Sequence, residues 1–284
     1  MSEKICNVEI SNPEKILFYK GKITKLDIAQ YYEKVAPFML PFINNRLLSV
    51  IRYHGPKSKK FFKKHPEINE KIEKIYIKSQ KTEENLYFYA KNKTQIISQV
   101  QMGTIEFHTW GSKITSLNKP DVMVFDLDPD IKVSLEVLRQ GVKHLKQILD
   151  ELGLKSFLKT SGGKGYHIYV PFSSSKSWIS FEKFAQNVAV LMQERWPKLY
   201  VSTSSKAKRK NKIFIDYMRN TKGATCVCPY SVRIRENVAV SMPISYSELE
   251  YITPNYFTLD LALKRVEQKI NPWKNFFRVK QDLL

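Results

Sequence analysis

The 284-residue sequence predicts a mixed α/β domain, of the α/β or α+β class. Three observations lead there. Short runs alternate apolar and polar residues with the period of a strand, two long segments repeat their apolar residues with the period of a helix, and these interleave along the chain. No Pro/Gly/Ser-rich linker divides them, so one domain spanning 1–284 is expected. Within it, a smaller N-terminal lobe over 1–119, a core over 120–250 and a helical tail over 251–284 are anticipated.

In chain order, "DIAQYYEKVAPFML" (27–40) has helical spacing, and Pro37 is expected to break or end that helix. "HGPKSKKFFKKHPEINEK" (54–71) is a basic loop carrying two aromatics. Strands are expected through "IEKIYIK", "NLYFYA" and "TQIISQV". The stretch "ENLYFYA" looks like a protease-cleavage tag. It lacks the final glutamine, however, and Leu86, Phe88 and Ala90 alternate with Tyr87 and Tyr89 as in a strand. "GTIEFHTWGS" alternates again, and "VMVFDLDPD" (122–130) is an apolar strand ending in carboxylates. Leu135, Leu138, Val142, Leu145, Leu149 and Leu152 then give a strong helical stripe closed by Gly153. A strand "KSFLKT", a turn "SGGKG" and a strand "YHIYVPF" follow. A second helix over roughly 180–195 is stopped by Pro197. A basic loop "SKAKRKNK", a strand "IFIDYM" and a helical tail around "YFTLDLALKRVEQKI" complete the chain.

Charge narrows the function. Lys plus Arg number 47 against 27 Asp plus Glu, a net charge of +20. Such an excess points to a polyanionic partner, most commonly nucleic acid. No basic amphipathic helix, lipidation motif or apolar run of membrane-spanning length supports a membrane partner. The N-terminus has no signal-peptide pattern. Cys6, Cys226 and Cys228 are too few for a disulfide framework, and C-x-C is not zinc spacing, so strand packing is expected for the pair. A cytoplasmic protein is anticipated.

The chemistry concentrates on strands. Residues two apart share a strand face, so Asp126 and Asp128 project together, and Asp216 shares its own face with Phe214. Three clustered carboxylates are hard oxygen ligands for Mg²⁺ or Mn²⁺. Two such ions about 4 Å apart suit phosphoryl transfer. From Asp126 and Asp128 alone, a polar strand end and a cation site both stay open. The turn with Gly162, Gly163, Lys164 and Gly165 offers backbone amides and a point charge to phosphates, although it is no Walker A loop. An ordinary hairpin is the alternative. His108 shares a face with Glu106 and Arg233 with Arg235, and each has a plain structural reading beside a phosphate-binding one. Phe61 and Phe62, set among Lys59, Lys60, Lys63 and Lys64, combine aromatics to stack on bases with cations for a backbone. Lys208 and Arg209 lie in the basic loop just before the Asp216 strand.

"VFDLDPD", "LKTSGGKGYHIYV" and "IFIDYMRNTKGATCVCPYSVRIR", in that order, resemble the polymerase domain of bacterial ligase D, a member of the archaeo-eukaryotic primase superfamily. The likeness extends to "FFKKH" and "QMGTIEFHTWGS" and covers roughly residues 10–270. It implies a primase-like catalytic domain with a central, mostly antiparallel sheet flanked by helices. It also implies that Asp126, Asp128 and Asp216 are catalytic metal ligands for Mn²⁺ or Mg²⁺. Ser161, Gly162, Lys164 and His167 would hold the phosphates of an NTP or dNTP, with His108 near its sugar, Arg233 on the triphosphate and Arg52 close by. Lys15, Lys22, Lys25, Phe61, Phe62 and Lys63, with Lys208 and Arg209, would meet DNA ends or gaps bearing a 5′-phosphate. The implied activity is template-directed nucleotide addition preferring ribonucleotides, acting with Ku and a ligase in double-strand break repair, in a cytoplasmic protein associated with the nucleoid. The chain ends at Leu284 with no obvious ligase or phosphoesterase module, so either a stand-alone member working with separate partners or an excised domain is expected, the initiator methionine and tail favouring the first. Two rival readings are a phosphatase of the haloacid dehalogenase type, which also opens on D-x-D, and a non-catalytic basic DNA-binding module.

Overall fold

The computed structural model describes residues 2–78, 84–173, 176–235 and 237–283. The chain divides into two compact units that share the sequence in alternation. The first comprises Met1–Trp110, Val227–Ser241 and Phe257–Ile270, and the second Gly111–Cys226, Met242–Tyr256 and Asn271–Leu284. The first changeover, between Trp110 and Gly111, falls near the anticipated end of the N-terminal lobe, and later segments alternate between the units. Late segments return to early ones by backbone pairing, as when the Cys228 N–H donates to the Phe107 carbonyl at 2.9 Å. Leu284, the end of the expected tail, lies outside the described residues.

In the first unit, strands Thr104–Thr109, Leu48–Arg52, Glu84–Phe88 and Lys74–Lys78 lie side by side, with Phe61–Lys63 also pairing Leu48–Arg52. Helix Lys25–Ile43 starts at a capping box: Asp27 N–H donates to the Thr24 hydroxyl and Thr24 N–H to the Asp27 carboxylate. It runs through Pro37 and Pro41, contrary to the expected break. Burial of Tyr31, Tyr32, Val35, Met39 and Ile43 on one face offsets the hydrogen bonds the prolines forgo. A second correction concerns "TQIISQV", which is helical over Lys93–Gln101. Its β-branched residues suggested a strand, but Asn92 caps the helix by accepting from Gln95 N–H at 2.9 Å. Ile96, Ile97 and Val100 then fall on one buried helical face packed against Lys25–Ile43.

The second unit carries a six-stranded sheet ordered Tyr200–Val201, Ile213–Asp216, Val122–Pro129, Tyr166–Pro171, Phe157–Thr160 and Pro243–Ile244. Every described pairing is antiparallel except that of Tyr200–Val201 with Ile213–Asp216. Helix Leu135–Glu151 covers the face bearing Leu127, and Gly141 lets it settle: a Cβ there would come within 3.4 Å of Ile213, Tyr200 and Leu127. The second helix, Trp178–Arg195, begins two residues before the expected start, where the Ser177 hydroxyl accepts from Ser180 N–H. Both helices contact the Val122–Pro129 strand. The opposite face keeps its polar residues. Among the described residues no helix is long and apolar enough to cross a membrane.

Candidate active site

Register builds the site. Asp126 lies opposite Asp216 on one side and His167 on the other, and His167 lies opposite Lys159. Because paired residues point to the same face, Asp216, Asp126, His167 and Lys159 form one row across four strands, with Asp128 and Phe214 one step along. The three expected carboxylates therefore do converge. His167 Nε2 lies 3.3 Å from Asp126 Oδ1, and Arg219 reaches Asp126 at 3.5 Å and Asp216 at 3.2 Å. Arg209 reaches Asp128 at 3.5 Å and stacks on the Phe214 ring at 3.6 Å. Arg209, expected at DNA, is thus engaged by Asp128 and Phe214, while Lys208 stays exposed.

Electrostatics separates the three carboxyls. Burial alone would raise Asp126, but His167, Arg219 and Lys159 hold its carboxyl well below the usual carboxylate range. Asp128 and Asp216 are pushed up, by burial and then by the Asp126 charge, with Arg219 and Arg209 offsetting part of the effect. Burial disfavours a charged His167, yet Cys226 and Asp126 pull its pKa up. Burial would raise the Cys226 thiol, but His167 and Lys159 hold it below the ordinary thiol range. Among the described residues, no group of three or more His, Cys, Asp or Glu is arranged to hold a metal ion as it stands. The donor set nevertheless fits a hard divalent cation: three carboxylates lie on one sheet face, and the Asp126 charge bears on both Asp128 and Asp216, a conflict that such a cation would relieve.

The glycine turn is organised from within. The Ser161 hydroxyl accepts from Gly163 N–H at 3.0 Å and Gly165 N–H at 3.2 Å, and Gly162 N–H donates to the Pro254 carbonyl. Those three amides are engaged, so the turn is not a ready-made phosphate cradle, and exposed Lys164 is its outward charge. Gly165 is required sterically, since a Cβ would lie 2.0 Å from the Leu127 carbonyl oxygen.

In the first unit, His108 and Arg233 meet on Glu106. Its Oε2 lies 3.0 Å from His108 Nε2 and from Arg233 Nε, and its Oε1 accepts from Ile234 N–H at 2.7 Å. Burial raises the Glu106 carboxyl, but His108 and Arg233 outweigh it and hold the pKa at about 2. Phe62 sets its ring edge-on to His108, with centroids 6.3 Å apart. Arg52 is buried and forks onto Glu70 at 3.0 and 2.7 Å, and Lys63 also pairs with Glu70. Phe61 and Phe62 are both exposed, but as strand neighbours they face opposite ways. A cavity of about 220 Å³ is lined by Asn12, Lys15, Lys25, His54 and Gln101 among others. Lys25 Nζ donates to the Ser11 carbonyl and Gln101, and burial followed by the Lys15 charge brings its pKa to about 8. Lys22 lies outside that lining, at the end of the exposed turn Lys20–Lys22.

With this geometry in place, the comparisons are specific. The model of the family described as LigD, primase-polymerase domain, matches residues 24–273. The chain belongs to this family. It is 33% identical over 282 residues to the multifunctional non-homologous end joining protein LigD of Pseudomonas aeruginosa, covering 96% of this chain and 33% of the relative. It is 30% identical over 278 residues to the bifunctional non-homologous end joining protein LigD of Bacillus subtilis, covering 97% of this chain and 45% of the relative. The chain therefore spans between a third and a half of these relatives' length. The polymerase domain of Mycobacterium tuberculosis ligase D, solved in complex with DNA, superposes with a TM-score of 0.86 at 26% identity, covering 94% of this chain and 97% of that one. The mixed α/β fold expected from the sequence is that of the LigD polymerase domain, and the family is a nucleotidyltransferase family.

Several residues that contact the expected site residues were not singled out in the sequence. Lys159 sits on the functional face of "FLKT", where alternation places it, but only register brings it beside His167. Arg219 follows Asp216 by three residues and had no periodic signal. Cys226, expected only to pack, also brings its Sγ to 3.3 Å from His167 Nδ1. Glu106 was noticed only as a neighbour of His108.

Proposed function

We propose that the chain is a template-directed nucleotidyltransferase, a DNA-dependent polymerase that prefers ribonucleotides and fills gaps or extends ends in non-homologous end joining. The observation that carries the reading is the row Asp216, Asp126 and His167 on one sheet face of a LigD primase-polymerase chain. Asp126, Asp128 and Asp216 would hold a divalent cation, Mn²⁺ or Mg²⁺. When bound, that cation supplies activation of the attacking 3′ oxygen and neutralises charge on the leaving pyrophosphate. Asp126, kept ionised by His167 and Arg219, is ready to ligate at neutral pH. Arg219, shared by two carboxylates, keeps them side by side despite their like charge. Lys164 and His167 would bear on the phosphates of the incoming nucleotide, His108 would lie near its sugar and Arg233 would contact the triphosphate, the last two tied to Glu106. Lys15 and Lys25 would receive the 5′-phosphate of a gapped or broken end, and Phe61 and Phe62 would meet its bases. Ku and a DNA ligase are the partners this reading implies, in the cytoplasm at the nucleoid.

The phosphatase reading is not favoured. An aspartyl nucleophile needs a free carboxylate, whereas Asp126 is largely buried and engaged by His167 and Arg219. A non-catalytic module leaves three converging carboxylates on a protein of +20 charge without a purpose. The test is extension of a gapped, 5′-phosphorylated duplex with NTPs or dNTPs in Mn²⁺ or Mg²⁺, with and without Ku. Asp126→Ala is expected to abolish nucleotide addition and leave DNA binding largely intact. Extension surviving in that variant would sink the assignment.

A further inference from the structure

Beside the small cavity at Lys25 lies a second, larger hollow of about 410 Å³. Its lining includes Lys15, Ile16, Tyr19, His54 and Pro56, so Lys15 and His54 form walls of both cavities. The chemistry changes across that shared wall. The Lys25 side offers Asn12, Gln101 and two lysines. The other side offers the ring of Tyr19, 68% exposed, with Ile16, 40% exposed. Tyr19 has no ring partner among the described residues.

The hollow is built on stiff backbone. Gly55 has φ +110, and a Cβ there would approach the Ile16 carbonyl oxygen to 3.1 Å, so glycine lets the 55–58 turn lie against the Ile16 strand. Ser58 closes that turn: its N–H and hydroxyl donate to the Gly55 carbonyl, and its hydroxyl accepts from His54 N–H. The His54 ring packs over Gly103, where a Cβ would fall 2.3 Å from the ring. A cationic pocket beside an exposed aromatic wall matches a ligand with an anionic end and a flat apolar body.

We propose that the Tyr19 hollow is a subsite for the terminal nucleoside of the strand whose 5′-phosphate enters the Lys15/Lys25 cavity, its base stacking on Tyr19 against the wall of Ile16, Pro56 and His54. The proposal rests on the 5′-phosphate reading given above and adds that the end is recognised by its base as well as its charge. Stacking on an aromatic ring serves every base, so the subsite reads the presence of a base and not its identity.

The test uses the full chain and gapped duplexes whose downstream strand begins with 2-aminopurine or with an abasic tetrahydrofuran residue, each with a 5′-phosphate or 5′-hydroxyl. Binding is expected to quench the phosphorylated 2-aminopurine end. Its affinity should exceed that of the abasic end by about tenfold, the scale of one base–aromatic stack. Tyr19→Ala is expected to remove both effects while keeping the preference for phosphate, and Tyr19→Phe to restore them. A retained phosphate preference with no effect of base removal or of Tyr19→Ala overturns the subsite alone. Equal affinity for phosphate and hydroxyl ends overturns the phosphate reading and the subsite with it.

Discussion

Buried charges in this protein work by partnership. Glu70 is the plainest case, with a side chain only 6% exposed that accepts from Arg52 through both oxygens and from Lys63. Burial alone would raise its carboxyl, but these bonds hold it at about 2, below its ordinary 4.5. A depressed carboxyl stabilises the fold above its unfolded pKa, and that contribution is lost as pH falls through the folded one. The stability gap between wild type and Glu70→Gln is therefore expected to be full above about pH 4.5 and to close towards pH 2. Near neutrality it should be on the order of 3 kcal/mol, because the change leaves Arg52 buried without its carboxylate. Thermal unfolding of both proteins across pH measures it, and a gap that does not change with pH refutes it. The same partnership shows why "HGPKSKKFFKKH" was only partly legible. Its aromatics are exposed as expected, yet Lys63 is turned to Glu70, a later residue of the same 54–71 stretch, whose partnership no local pattern announces.

At the scale of elements, one side chain stands in for a strand. The Ile213–Asp216 ladder ends opposite Asp126, and the next positions of the Val122–Pro129 strand are met by Asn220. Its Oδ1 accepts from Val124 N–H, and its Nδ2 donates to the Val124 and Tyr217 carbonyls, each at 2.8 Å. The turn that carries Arg219 is thereby pinned to the strand that carries Asp126. Asn220→Ala is expected to leave two buried backbone groups unpaired, at about 1–3 kcal/mol each. A Tm lowered by several degrees in calorimetry is the predicted result, and an unchanged Tm would show that the bridge is dispensable. The elements also mark the limit of local pattern. The Leu138 to Leu149 stripe ran as expected, whereas "TQIISQV" became a helix because Asn92 and a packing partner outweighed β-branched propensity.

For the whole molecule, the net charge of +20 is the dominant property. If DNA is held through its phosphates, affinity must fall steeply with salt, by about 10³ between roughly 50 and 200 mM for about six contacts. A titration of gapped duplex against salt measures that slope, and affinity indifferent to salt would remove the polyanion argument. The interleaving of the two units means that no single cut in the sequence separates them, although their first changeover, between Trp110 and Gly111, falls near the anticipated boundary at residue 119.

The sequence by itself determined the fold class, the net charge of +20, the three carboxylates and the motif order of the LigD polymerase domain, because these depend on composition and on residues close together in the chain. Only the tertiary structure decided which groups stand beside those carboxylates. Strand register set Asp216, Asp126, His167 and Lys159 in one row, and a turn after Asp216 delivered Arg219. It also turned Arg209 towards Asp128 and gave His108 and Arg233 a common anchor in Glu106. The physical reason is that lateral neighbours in an antiparallel sheet come from distant strands, and their pairing is set by backbone hydrogen bonds and buried faces that no local period encodes.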